Sequence, residues 1–488
     1  MALLTAIYNF LWGDLFRIPL PGGSSLGVSL LVLILLPAGV YFTLRTRFLP
    51  FRLFPEMVRI TMANNKKPGA EGLSGVQALI VSTACRVGMG NLVGVVAAIS
   101  AGGAGAVFWM WLIALLGGAT AFVESTLAQI YKKRAADGSS YGGPSYYIQA
   151  ALNSRALGVV FAVALIATYA GGFNMLASYN LIDSLSGYGF YDKYFFGPHN
   201  LVPIIGGASL ALLVGFCIMG GGKRIVKVTE VLVPLMGVLY ILLALIVMAL
   251  NIERLPEVLS KIFTAAFDFR AIFGGFAGSA IMQGIKRGLY SNEAGVGSAP
   301  NAAAAADVAH PVTQGLVQML SVFIDTLLIC TATAMMCLCT GIIPGEGLKG
   351  APFVQQSMSI VFGTVGPYFI TAALLLFAFT TLLGNLFYCE GCLNYIAGRA
   401  LSKRAMNIFR IAAIIAVFVG AQLEFGLVWD MADVLMGVMA LINLPVIVIL
   451  ARTALAALND YTAQRRLGKK PVFKASAIGL KEKTDFWN

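Results

Sequence analysis

Three glycines and one amide, Gly88-Met89-Gly90-Asn91-Leu92-Val93-Gly94, stand inside the apolar run 74–101. Glycine is a poor choice for an unbroken helix and a good one where the backbone must open and be approached closely. An opened helix offers unpaired N–H groups on one half, which suit an anion, and unpaired carbonyls on the other, which suit a cation. A second cluster, Phe273-Gly274-Gly275-Phe276-Ala277-Gly278-Ser279, falls in the apolar run 269–289. The competing reading of both clusters is close helix packing, since Gly90 and Gly94 also fit GxxxG. Further polar groups in apolar surroundings are the adjacent hydroxyls Thr380 and Thr381, the acids Glu124, Asp325 and Glu390, and Arg86 beside the first cluster. Threonines in a helix commonly bond back to the preceding turn. An acid at membrane depth is a proton-relay group or the counter-charge of an arginine.

The elements that must hold these residues follow from composition. Of 488 residues, 58% are hydrophobic and 11% charged, and the mean hydropathy is +0.83. Repeated apolar runs of about 20 residues read as transmembrane helices. Eleven are expected, over 27–44, 74–101, 104–131, 156–186, 201–219, 225–250, 269–289, 311–340, 367–396, 406–423 and 426–450. This is an all-α polytopic membrane protein built as one bundle. The first strong apolar run starts late and is followed by basic residues, so it reads as a retained helix and not a cleaved signal. The seven cysteines all lie in apolar segments, and the one CxxC, Cys389 and Cys392, has no second pair. They read as small apolar residues, not as a metal or redox centre.

The net charge of +12 is no nucleic-acid footprint here; what matters is which loops carry it. Segments 45–67, 132–155, 223–227, 286–310, 399–410 and 452–488 hold 27 of the 34 Lys and Arg. Opposite-side segments hold six, and Arg86 stays in a helix. The N-terminus is therefore expected outside and the C-terminus in the cytoplasm. Two sets of five helices then run in opposite orientation, an inverted repeat whose hallmark is a discontinuous first helix in each half. The chain divides into an N-terminal helix with a basic connector (1–73), a first repeat (74–250), an extracytoplasmic connector (251–268), a second repeat (269–450) and a basic cytoplasmic tail (451–488). Inverted repeats around two broken helices point to alternating access, and so to a secondary transporter.

Gly90-Asn91-Leu92-Val93-Gly94-Val95 is followed by Gly102-Gly103-Ala104-Gly105-Ala106-Val107-Phe108-Trp109-Met110-Trp111. Later comes Arg287-Gly288-Leu289-Tyr290-Ser291-Asn292-Glu293-Ala294-Gly295-Val296-Gly297-Ser298-Ala299-Pro300-Asn301-Ala302. With Gly142-Gly143-Pro144 and Phe323-Ile324-Asp325-Thr326, these resemble the alanine or glycine:cation symporters, also called the sodium:alanine symporters, over nearly the whole chain. The resemblance implies a five-plus-five inverted repeat of the leucine-transporter type with one extra N-terminal helix. It also implies a multi-pass protein of a prokaryotic inner membrane, sodium as coupling ion and no other cofactor. The cargo that the resemblance implies is a small neutral amino acid: alanine, glycine or D-alanine. In one place the chain departs from the family. Many members carry a Trp after the Thr-Thr-x-x-Gly run, whereas Thr380-Thr381-Leu382-Leu383-Gly384 is followed here by Asn385. That position is expected to border the pocket, where a smaller polar side chain enlarges it or adds a hydrogen bond.

A zwitterionic amino acid needs a partner for each charge, because a bare buried charge costs many kcal/mol. The carboxylate is expected at the backbone of Gly88 and Gly90, with Asn91 as a side-chain contact. Gln77 lies about four turns earlier and reaches the pocket only if the break bends the helix; the resemblance supports it. The ammonium is expected at carbonyls of Gly274, Phe276, Gly278 and Ser279. Phe173, with Tyr169, closes the pocket or simply packs the core. By the resemblance, sodium takes the hydroxyls of Thr380 and Thr381 and the carbonyls of Ala84, Val87 and Phe377.

Three rivals stay open. Proton coupling would use Glu124, Asp325 or Glu390, although a structural pair with Arg86 is the commoner role for such acids; both histidines, His199 and His310, fall in loops. A larger cargo such as glutamine is the second, and a channel the third. Enzyme motifs are absent: Gly220-Gly221-Gly222-Lys223-Arg224 lacks the first Gly and the final Ser or Thr of a P-loop, and no HExxH or GxSxG occurs. Ser291-Asn292-Glu293 reads either as a gate latch through Arg287 and Glu293 or as a helix cap.

Overall fold

The computed structural model describes residues 2–19, 25–63, 73–135, 138–268, 279–342, 350–480 and 482–487. Among them, seven helices are long and apolar enough to cross a membrane: Gly105–Ile130, Arg155–Gly187, Leu201–Ile218, Gly221–Leu250, Pro311–Leu338, Val365–Ala397 and Phe425–Ile449. An eighth span is broken. Its halves, Gly75–Arg86 and Gly90–Gly102, meet at 52°. The helices Leu30–Arg45, Ala280–Asn292 and Lys403–Gly420 fall where three further spans are expected, and are shorter or more charged.

Burial separates an inner set from an outer one. Pro311–Leu338, Val365–Ala397 and Gly105–Ile130 are mostly buried, and Gly105–Ile130 packs against Pro311–Phe323 and Ala280–Asn292. Leu201–Ile218 and Gly221–Leu250 are mostly uncovered, and the exposed side chains of their apolar stretches include Leu212, Phe216, Val231 and Leu242. A helix whose uncovered face is apolar is one meant to meet lipid.

Three of the long helices carry one π-helical turn each: Gly90–Gly94, Ala167–Phe173 and Ile324–Cys330. Such turns misalign the backbone ladder and free polar groups locally. Residues from all three meet around the broken span, as described below.

Several elements are too short to register in a search for apolar runs of about 20 residues. A helix, Ala2–Trp12, and a hairpin, Phe16–Pro19 with Ser25–Val28, precede the first expected helix, and Trp12 Nε1 donates to the Asp433 carbonyl at 3.0 Å. The connector 251–268 holds the helix Leu255–Ala266, and Gly350–Phe362 is a further helix ahead of Val365–Ala397. The basic tail is folded. Its helix Ala451–Arg466 sets Tyr461 and Arg465 on Glu56, at 2.7 and 3.1 Å, and Asp460 on His310 at 3.1 Å. Beyond it, Phe473 N donates to the Ala309 carbonyl at 3.0 Å and Trp487 Nε1 to the Gln129 carbonyl at 2.8 Å. The loop held in this way also pairs with the start of the broken span, through Leu73 N to the Ala305 carbonyl and Asp307 N to the Leu73 carbonyl.

Candidate functional site

The broken span begins at a capping box: Ser74 Oγ accepts from Gln77 N at 3.0 Å, and Gln77 Oε1 accepts from Ser74 N at 2.9 Å. Gln77 is thus spent at the helix start, with its Nε2 3.5 Å from the Glu230 carboxylate. The 52° bend does not bring it to the glycines.

The helix stops at Val87, whose ψ of 83° leaves the helical range. Asn91 then closes the break from within. Its Oδ1 accepts from Gly88 N at 2.8 Å, satisfying a donor that the interruption would leave unpaired. Its Nδ2 donates to Asp325 Oδ1 at 2.7 Å, and its carbonyl accepts from Thr333 Oγ1 at 2.6 Å. The Asn91 side chain is fully buried and fully committed.

Asp325 sits on the π turn Ile324–Cys330 and accepts from three neutral donors: Asn91, Ser291 Oγ at 2.7 Å and Thr326 Oγ1 at 2.8 Å. Among the described residues no cation lies within ion-pair distance of it. Arg86 does not find the counter-charge expected of it. Its Nη1 donates to the Gln318 carbonyl at 3.3 Å and to Gln318 Oε1 at 3.2 Å, while Nε and Nη2 are buried without a hydrogen-bond partner. Glu390 pairs with Arg410 at 2.6 Å instead. Glu124 accepts from Gly295 N at 3.3 Å and Asn443 Nδ2 at 3.0 Å.

The hydroxyl pair divides. Thr381 Oγ1 donates to the Ala84 carbonyl at 3.3 Å, and a Cβ added to Gly88 would run into that same oxygen. Thr380 Oγ1 bonds back to the carbonyls of Leu376, at 2.9 Å, and Phe377, at 3.2 Å. The structure therefore brings together Ala84, Gly88 and Thr381, with Val87 next to Gly88 in the chain and with Thr380 and Phe377 on the same helix as Thr381. Gly90 is held to glycine by packing: a Cβ there would press on Tyr290 and on the Ser291 backbone at 3.1 Å.

Above this point runs a line of aromatic rings. Tyr169 meets Phe173 at 5.0 Å, Phe173 meets Tyr290 at 5.0 Å, and Tyr290 meets Trp429 at 5.3 Å. Phe173 is thereby tied to the π turn Ala167–Phe173 and to the glycines through Tyr290. Beside it, Asn385 Nδ2 donates to Asn174 Oδ1 at 2.9 Å, leaving Asn385 Oδ1 and Asn174 Nδ2 buried without partners.

Of the second glycine cluster, Gly274, Phe276 and Gly278 lie outside the described residues. Ser279 caps the helix Ala280–Asn292 by accepting from Met282 N at 3.2 Å. The described discontinuity of this region comes after that helix. Glu293 ends it in the left-handed region (φ 55°), Gly295 and Gly297 both have φ 88°, and helix resumes at Pro300–Ala304. Ser291-Asn292-Glu293 therefore closes a helix rather than starting one. The latch is corrected too: Arg287 forms a two-pronged pair with Asp433, at 3.0 and 3.1 Å, and Lys286 shares that acid at 2.6 Å. Glu293 accepts from Ser298 Oγ at 2.7 Å.

Sequence reasoning passed over Asn174, Ser291 as a partner of Asp325, Asn443 and Asp433. Asn443 carries the signal that singled out Asn91, a lone amide within an apolar run, and Asn174 shares its run with Asn180.

A profile described as the sodium:alanine symporter family matches residues 23–475. The amino-acid carrier protein AlsT of Bacillus subtilis is 45% identical over 92% of this chain and 93% of its own. The probable sodium/glutamine symporter GlnT of the same organism is 41% identical over 94% and 93%. The sodium/alanine symporter AgcS of Methanococcus maripaludis is 35% identical over 91% and 93%.

Proposed function

The chain belongs to the sodium:alanine symporter family, and from that premise we propose that it is a sodium-coupled symporter importing alanine, glycine or D-alanine by alternating access. The family is one of membrane transporters, so the protein is a transporter and not an enzyme. The observation that carries the sodium assignment is the meeting of Thr381 Oγ1, the Ala84 carbonyl and Gly88 at the end of a half-helix. A small hard cation takes neutral oxygens of this kind, and the carbonyl end of a helix carries partial negative charge. Val87, Phe377 and Thr380 complete the proposed ion shell. The amino acid is assigned to the other side of the same break, its carboxylate at the Gly90 backbone, since Asn91 Oδ1 already holds the Gly88 N–H, and its side chain against Phe173 and Asn385. Asn91 holds the break open in the shape both cargoes need. Gln77 is left out of this site because it is spent at the helix start.

Coupling follows from the shared break. Val365–Ala397 carries Thr381 and Asn385 one turn apart, so a movement that seats sodium also seats the wall of the amino-acid pocket. Each cargo then raises the affinity for the other by the same factor. The eleven-span inverted repeat, with the N-terminus outside and the C-terminus cytoplasmic, belongs to this proposal, and the 27-to-6 charge bias supports it.

One observation favours a second reading, a larger neutral amino acid such as glutamine. The Asn385–Asn174 pair leaves one acceptor and one donor open, and exchanging both amide orientations leaves the same set. A carboxamide offers the complement of that set, and alanine does not.

Uptake of radiolabelled amino acids into proteoliposomes tests these readings. Accumulation of alanine driven by sodium alone is expected. Accumulation driven by a proton gradient alone would overturn the ion and turn attention to Asp325. Accumulation of glutamine but not alanine would replace the first cargo by the second.

A further inference from the structure

Away from the break, the helix Leu30–Arg45, the turn after it and the helix Ala451–Arg466 enclose a cavity of about 390 Å³. Its lining includes Arg45, Arg47, Arg52 and Arg466, together with Asn459 and Thr462. Four arginines line this open pocket, all of them exposed, and no carboxylate stands on its wall. Among the described residues none of the four has an acid within ion-pair distance. The nearby Glu56 is already taken by Arg59 and Arg465, and Asp460 faces His310. Arg45 rests on the Tyr41 ring and Arg52 donates to the Thr46 carbonyl at 3.3 Å, which positions both without neutralising either. Like charges gathered around an open space repel one another and favour an anion between them.

The backbone adds to this. Arg47 and Phe48 are consecutive non-glycine residues in the left-handed region, at φ 56° and 54°. That conformation is disfavoured for both, and it turns Arg47 towards the cavity while Phe48 goes outward. Phe48, Phe51 and Phe54 are 54%, 62% and 46% exposed, an apolar row beside the arginines. Position agrees. The apolar helix Leu30–Arg45 ends at the first of the arginines, and the span Phe425–Ile449 ends just before the helix that supplies the last. A bilayer's phosphate layer lies where such apolar runs stop.

We propose that this cavity binds the phosphate of an anionic phospholipid headgroup, with Arg45, Arg47, Arg52 and Arg466 as its ligands and the acyl chains lying along Phe48, Phe51 and Phe54. The guanidinium fork matches a phosphate oxygen pair, and the cytoplasmic leaflet, to which the charge bias assigns these residues, is the one rich in anionic lipid. A phosphate bound here joins the helix Leu30–Arg45 to the helix Ala451–Arg466, since Arg45 and Arg466 are contributed from opposite ends of the chain.

The test is thermal unfolding of the full-length protein in detergent, with phosphatidylglycerol or phosphatidylcholine added at equal concentration. Further arms contain inorganic phosphate or glycerol phosphate alone. Phosphatidylglycerol is expected to raise the Tm of the wild type by several degrees and phosphatidylcholine to leave it unchanged. In the Arg45→Gln, Arg466→Gln double variant the rise is lost. In the Arg45→Lys, Arg466→Lys variant, which keeps the charge, part of it returns, so a loss through misfolding is separable. An equal rise with phosphatidylcholine, or an undiminished rise in the Gln variant, would overturn the site. A full rise with either soluble phosphate would overturn the lipid assignment. The readout needs no transport, so its outcome is independent of the coupling ion and the cargo.

Discussion

Thr381 Oγ1 reaches the Ala84 carbonyl across 3.3 Å and fills the space that a side chain at Gly88 would need. One hydroxyl thereby links the long helix Val365–Ala397 to the end of a half-helix, and it is the contact on which the sodium proposal stands or falls. Thr381→Ala should raise the sodium concentration for half-maximal uptake about tenfold, the equivalent of about 1.4 kcal/mol. Thr380→Ala should change it less, because that hydroxyl bonds within its own helix. Sodium titration of uptake decides, and an unchanged titration for Thr381→Ala removes the site.

Asn91→Ala should abolish uptake while the protein still inserts. The substitution strands the Gly88 N–H and takes one of three donors from Asp325, at about 1–3 kcal/mol for each unsatisfied group. Uptake normalised to surface-labelled protein measures this. Wild-type uptake would show that the amide only decorates the break.

Asn385→Ala should separate the two cargo readings. If a carboxamide is read by the Asn385–Asn174 pair, glutamine uptake falls about tenfold or more and alanine uptake far less. Competition of both amino acids against a labelled tracer makes the comparison. Equal losses would make the pair a packing feature of the helices.

His310 offers a pH test outside the membrane spans. Burial pushes its imidazole down to about 4, against a partial upward pull from Asp460. The unfolded chain, titrating near 6.5, therefore holds more protons between pH 6.5 and about 4, and stability falls as pH drops through that window. The loss should total about 2–3 kcal/mol by pH 4. Above pH 6.5 this contribution is fully retained. His310→Gln should flatten that part of the pH profile in thermal unfolding, and a profile left unchanged would mean that the ring is hydrated in solution.

What could be read from the chain depended on whether the signal was local. Long apolar runs and the Gly88–Gly94 interruption are properties of adjacent residues, so the spans and the bend were legible. Thr381 beside the Ala84 carbonyl was reached through family likeness and not through spacing. Other features depend on partners hundreds of residues apart. Arg86 meets Gln318 and no acid, Arg287 chooses Asp433 over Glu293, and Asn385 finds Asn174. The glycines at 274–278 lie outside the described residues; the discontinuity described after Ala280–Asn292 rests on two glycines and a left-handed Glu293, a conformation that residue type alone does not announce.

Asn443 donates both to Glu124, 319 positions earlier in the chain, and to the Gly295 carbonyl, at 3.0 Å each. In terms of biogenesis, this clasp sets an order. The helix bearing Glu124 is synthesised and inserted long before the one bearing Asn443 exists, so for most of translation the acid sits in a half-built bundle without that donor. A chain truncated before that helix would keep the Gly295 N–H on Glu124 and lack the Asn443 amide, leaving one oxygen of a carboxyl group at membrane depth without its donor.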